Sequence, residues 1–180
     1  MTKNKIGKII LIGYRTCGKS VVGRRVAKAL GYRFLDLDAT IEAEAGRSIR
    51  EMVAAQGWEG FRARERAALS ALAGQNRVVV STGGGAILHR EVWPELRRES
   101  LVVWLTAPLE VIRQRLAVDC KTTAQRPALT GQGVMAEIAT VLAEREPLYR
   151  EAAHLTIDTG RLKPAQVAEL IVAAAQKQGE

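Results

Sequence analysis

The chain has 180 residues, 47% of them hydrophobic and 26% charged, with a formal net charge of +8. That length suits a single domain over 1–180 that buries a full core, and no apolar run is long enough to cross a bilayer, so a cytoplasmic protein is expected. Two cysteines, Cys17 and Cys120, exclude a disulfide framework, and 4% aromatics without a dense Lys/Arg tract disfavour nucleic acid as the partner of the positive charge.

The first expected element is a strand over Ile9–Ile12, continuous and mostly β-branched. It runs into Gly13-Tyr14-Arg15-Thr16-Cys17-Gly18-Lys19-Ser20, which fits G-x-x-x-x-G-K-[ST] and is followed by Val21 and an apolar-periodic helix that ends at Gly31. The spacing has a mechanism. Glycines let backbone N–H groups turn inward around a phosphate chain, and a helix N-terminus adds positive potential. Lys19 is placed to reach the β- and γ-phosphates and Ser20 to ligate Mg²⁺, so ATP with Mg²⁺ is the expected ligand. Cys17 lies inside this loop, where the helix N-terminus is expected to lower its thiol pKa and expose nucleotide entry to alkylation.

A second short strand, Arg33–Asp36, closes on Asp36-Leu37-Asp38, ahead of a helix over Thr40–Ala45. With the chain still extended there, the two carboxylates point the same way; the other reading makes Asp38 the cap of the following helix. Ser48-Ile49-Arg50-Glu51 is a capping box, Gly57 breaks the helix it opens, and Trp58–Leu72 forms the next. The third strand, Arg77–Ser81, runs into Thr82-Gly83-Gly84-Gly85, three glycines whose backbone entropy calls for a reason. His89–Glu99 reads as helical around Pro94, and Leu101–Leu105 as the fourth strand. Pro108 opens a helix to about Leu116, and 117–133 is polar, aperiodic and glycine-bearing, the expected mobile lid. A long helix over Val134–Ala152, a fifth strand at Leu155–Ile157 and a helix from Pro164 complete the chain. His89 and His154 have no metal-ligand spacing and read as ordinary surface or edge residues.

Strands alternating with helices imply a three-layer α/β/α fold around a parallel sheet of about five strands. The phosphate loop, Asp36/Asp38 and Gly83–Gly85 each directly follow a strand, so all three should gather at one sheet edge. The scattered arginines suit bidentate recognition of carboxylates and phosphates.

Six segments together resemble the shikimate kinases: Gly13–Ser20, Asp36–Asp38, Gly57–Glu65, Ser81–Gly85, Arg126–Gly131 and Glu144–Arg150. They come in the family's order and cover most of the chain. The resemblance implies a P-loop kinase fold, ATP and shikimate as substrates, and Mg²⁺ with ATP. It gives Lys19, Asp38 and Arg126 to catalysis, with Asp38 on the acceptor hydroxyl as general base and Arg126 on the lid as a second cation. Asp36 goes with Ser20 to the metal, and Arg62, Gly83, Gly84, Gly85 and Arg145 with Asp38 to the acceptor. From the residues alone Arg62 is an i,i+3 partner of Glu65, and Arg145 is a solvated helix residue between Glu144 and Glu146; the resemblance reverses the latter. Arg161 and Pro164 are expected near the adenine, although Arg161 stands one place early in the family pattern, which leaves Arg113 and Arg115 as alternatives. Two rivals stay open: a kinase of another hydroxy acid such as gluconate, and a nucleotide- and metabolite-binding regulator without turnover. A monomer is expected, with no nucleic-acid or membrane partner.

Overall fold

The computed structural model describes residues 6–119 and 134–177. Its sheet has five strands: β1 Lys8–Ile12, β2 Arg33–Asp36, β3 Val78–Ser81, β4 Leu101–Thr106 and β5 Leu155–Asp158, all parallel, in the order β2-β3-β1-β4-β5. Every residue of β1 and β3 is buried. Strands apolar on both faces need helices on both sides, and successive residues face opposite layers. Ile9, Leu11 and Val79 pack with Val22, Val26, Val167 and Ile171, on helices α1 (Lys19–Leu30) and α7 (Pro164–Lys177). Ile10, Ile12 and Val80 pack on the other face with Leu69, Trp93 and Tyr149, from α3 (Ile49–Ser70), α4 (Trp93–Glu99) and α6 (Val134–Ala152). A small third cluster, Ile41, Ile49, Met52 and Phe61, joins α2 (Leu37–Ala45) to α3 beside the sheet's carboxyl edge. Helix α5 spans Leu109–Val118. Among the described residues, no helix is long and apolar enough to cross a membrane.

Some boundaries differ from the sequence reading. The helix expected from Thr40 starts at Leu37, because Asp36 caps it: its Oδ1 accepts from Ala39 N at 3.4 Å. Asp38 is therefore a first-turn residue of α2, neither its cap nor part of an extended chain. The segment expected as one helix over His89–Glu99 is a 3₁₀ turn at Ala86–Leu88 followed by α4, with Pro94 in its first turn, where a missing N–H costs nothing. Gly57 does interrupt helical geometry, at φ 68° and ψ 178°, as a kink between two helical arms. Residues 117 and 118 of the expected lid belong to α5, while Cys120 and Arg126 lie outside the described residues.

Candidate active site

The carboxyl ends of β1, β2 and β3 lie side by side, with Leu11 and Asp36 each in register with Ser81. The three turns after them meet there. Gly13 must be glycine: its φ is +138°, and a Cβ would sit 2.2 Å from the carbonyl oxygen of Leu105. Thr16 takes φ 61°, a left-handed conformation for a β-branched residue, which the loop's curl imposes. Lys19 is buried and its Nζ donates to the carbonyls of Gly13 (2.8 Å) and Tyr14 (2.7 Å), so the ammonium closes the loop on itself. Ser20 Oγ donates to Asp36 Oδ2 at 2.7 Å and lies 3.2 Å from Ser81 Oγ. Mg²⁺ keeps most of its water and takes only one or two protein oxygens plus phosphate, so this hydroxyl–carboxylate pair could hold it.

Two cavities adjoin here. A cleft of about 650 Å³ runs along the phosphate loop past Lys19, Ser20, Asp36 and Asp38. A smaller pocket is lined by Tyr14, Trp58, Phe61, Arg62, Glu65 and Arg145. Arg15, Ile49 and Gly84 line both. The glycine turn shapes the junction. A Cβ on Gly83 would lie 2.7 Å from Glu65 Oε1 and 2.9 Å from Asp38 Oδ1, and one on Gly85 would overlap the Arg62 guanidinium at 2.1 Å. Backbone without side chains is what lets these groups close in.

Arg145, only 6% exposed, donates from NH1 to Gly84 O at 3.0 Å, and Tyr149 Oη donates to the same carbonyl at 2.6 Å. One helical turn apart on α6, they clamp the glycine turn to the helix. Burial pushes the Tyr149 hydroxyl well above the usual phenol range, so it stays a donor. The solvated face that Arg145's own neighbours suggested is corrected. Arg62 does pair with Glu65 and does so at the pocket wall. Glu65 is 1% exposed and holds Arg62 and the Nε2 of His89 (3.1 Å) on one carboxylate oxygen. His89 is thus a buried member of this network, against its expected surface place.

Sequence reasoning missed Tyr149, the bond between Glu65 and His89, and the aromatic wall of Trp58 and Phe61, which stand 5.9 Å apart edge to face. The i,i+4 spacing of Arg145 and Tyr149 was the available signal. Arg161 is exposed and lines a separate groove with Leu155, Ile157 and Leu162. Pro164, exposed, opens α7. Arg115 does border the nucleotide cleft, donating to Thr16 O (3.2 Å) and Thr159 O (2.7 Å), whereas Arg113 pairs with Glu110 on α5.

Cys17 is 1% exposed, and burial raises its thiol pKa, which outweighs the nearby Lys19 and Arg115 and the backbone hydrogen bond at Tyr14. The expected lowering is corrected. A raised pKa means less thiolate at any given pH, so iodoacetamide at pH 7.5 should label native Cys17 at least about tenfold more slowly than free cysteine. Peptide mass spectrometry checks this; labelling at the free-thiol rate would contradict the burial.

A phosphate loop on a five-stranded parallel sheet, with an arginine-walled pocket beside its cleft, defines a P-loop small-molecule kinase. The shikimate kinase family model matches residues 15–176. A shikimate kinase from Oleidesulfovibrio alaskensis is 48% identical over 84% of this chain and 87% of its own, and a shikimate kinase 2 from Yersinia enterocolitica is 42% identical over 91% and 92%. Among solved structures, a shikimate kinase from Acinetobacter baumannii in complex with shikimate superposes with a TM-score of 0.87 at 35% identity, covering 96% of this chain and 94% of its own. The chain belongs to the shikimate kinase family.

Proposed function

We propose that the chain transfers the γ-phosphoryl group of ATP to the 3-hydroxyl of shikimate, giving shikimate 3-phosphate and ADP on the route to chorismate and the aromatic amino acids. The observation that carries this reading is the junction at Gly84: a pocket holding Arg62 and Arg145 shares Arg15, Ile49 and Gly84 with the cleft holding Lys19 and Asp38. The amides of residues 13–20 and the Lys19 ammonium hold the triphosphate. Ser20 and Asp36 would hold the Mg²⁺ that comes with ATP, which would supply charge neutralisation to the phosphates. Arg62 and Arg145 hold the acid's carboxylate by bidentate hydrogen bonds, with Gly83–Gly85 against the ring. Asp38 orients the 3-hydroxyl and takes its proton as that oxygen bonds to the γ-phosphorus. The bond from γ-phosphorus to the β–γ bridging oxygen breaks, and ADP leaves. Arg126 is assigned to the transferring phosphoryl by the family pattern alone, as Arg161 and Pro164 are to the adenine. One cytoplasmic domain, monomeric and without nucleic-acid or membrane partners, suffices for this chemistry.

A coupled ADP-release assay tests the reading. Turnover is expected with shikimate and Mg²⁺, with little on gluconate or after chelation. Preference for gluconate would overturn it, and tight binding of both ligands without ADP release would favour a regulator.

Replacing Arg62 by alanine should weaken shikimate binding by about 2–4 kcal/mol while ATP binding changes little. Gly85→Ala should act the same way by a different route. The three atoms nearest its new methyl all belong to the Arg62 guanidinium, so that group is displaced from its place beside Glu65. Shikimate KM should rise about tenfold or more, with the melting temperature nearly unchanged. Unaltered KM in both variants would remove Arg62 from the acceptor site.

A further inference from the structure

Arg15 sits at the second variable position of the phosphate loop, yet its surroundings belong to the other ligand. The side chain is 7% exposed, and its NH1 is buried without a hydrogen-bond partner among the described residues. Its guanidinium lies 5.7 Å from the centroid of the Tyr14 ring. The charges that act on it most at neutral pH are those of Glu137, Arg145 and Arg62. It lines the small pocket as well as the cleft, and the turn at Gly84 passes close by, a Cβ there falling 3.4 Å from Arg15 N.

A buried guanidinium lacking an acceptor is costly, and two further guanidiniums in the same field raise the cost. Burial, above all, and the like charges of Arg145 and Arg62 act in that direction, lowering its pKa, while the Glu137 carboxylate offsets them only in part. Such a group is retained where a ligand supplies the missing anion. The aromatic face beside it and the planar fork fix its orientation before the ligand arrives.

We propose that Arg15 is a third guanidinium of the acceptor pocket, donating its free N–H groups to the carboxylate of the acid that Arg62 and Arg145 also hold. This rests on the reading that the small pocket takes the acceptor. A residue of the phosphate loop then binds the second substrate, so the loop's conformation and the acid's position are set together. Selectivity for an anionic ring over its neutral analogues follows, because three desolvated guanidiniums reject a ligand that brings no charge.

The test compares wild type, Arg15→Met and Arg15→Lys, titrated with shikimate and with its neutral methyl ester. The readout is tryptophan fluorescence, since Trp58 lines the pocket. Circular dichroism checks folding, and ATP binding is measured in parallel. Arg15→Met should raise the shikimate Kd about 10- to 100-fold. It should leave the ester and ATP within about threefold, and lysine should recover part of the loss. A purely structural role would weaken acid and ester alike, so equal losses overturn the assignment. A loss confined to ATP overturns it in favour of the nucleotide phosphates, and an unchanged shikimate Kd overturns it outright. If Arg15→Met fails to fold, the acid-to-ester ratio of Arg15→Lys decides: an unchanged ratio overturns the proposal and a narrowed one supports it. Wild type that ignores shikimate overturns the acceptor reading itself, whereas wild type that binds while Arg15→Met binds equally well overturns only the role of Arg15.

Discussion

Asp38→Asn is expected to lower kcat by about 10²–10⁴-fold while leaving shikimate KM within a few fold. The amide keeps the shape of the carboxylate and its contact with the turn at Gly83, where Asp38 Oδ1 and Glu65 Oε1 converge. It cannot take a proton. The position also bears on stability, because Asp38 lies in the first turn of α2, where a negative charge favours the helix by about 0.3–1 kcal/mol. A thermal melt separates the two effects: that small loss shifts the midpoint by a few degrees, far short of what a thousandfold fall in rate would need. Steady-state kinetics with less than a fivefold change in kcat would take Asp38 out of proton transfer.

Lys19→Ala should cut turnover by about 10²–10³-fold through the lost charge on the transferring phosphoryl. Two carbonyls, those of Gly13 and Tyr14, lose their shared donor as well, so the loop loses its internal tie. Nucleotide affinity should fall with turnover, while shikimate binding, measured without nucleotide, should weaken far less, because Arg62 and Arg145 stand on α3 and α6 and only Tyr14 and Arg15 of the pocket wall belong to the loop. Calorimetry and the coupled assay together check it. Full turnover in the variant would exclude Lys19 from the reaction.

The parts of this site legible in the sequence are those with local causes. The phosphate loop, the strand ends at Asp36 and Ser81, and the break at Gly57 follow from β-branched runs, glycine and capping chemistry, and the sheet carries the three turns to one edge. What escaped depends on contacts distant in sequence. Beside Glu144 and Glu146, only the i,i+4 spacing to Tyr149 hints that Arg145 is buried against Gly84, 61 positions away. Nothing beside His89 points to its bond with Glu65, 24 residues earlier. Cys17 shows one local rule overridden by a global one: a helix N-terminus favours thiolate, but packing removes the solvent the charge would need. At the start of α2 the sequence offered Asp38 as the cap, but the cap is Asp36, two residues earlier, which also bonds Ser20.

A crystal structure with ADP, Mg²⁺ and shikimate is the most direct measurement of whether two anionic reactants meet at the Gly84 junction. The carboxylate should lie in bidentate contact with Arg62 and Arg145, and the 3-hydroxyl should stand about 3 Å from the Asp38 carboxylate, facing the nucleotide's terminal phosphate. Shikimate bound elsewhere, as in the arginine-bearing groove of α4 that holds Arg97, Arg98 and His154, or bound with its hydroxyl turned away from Asp38, would contradict the account.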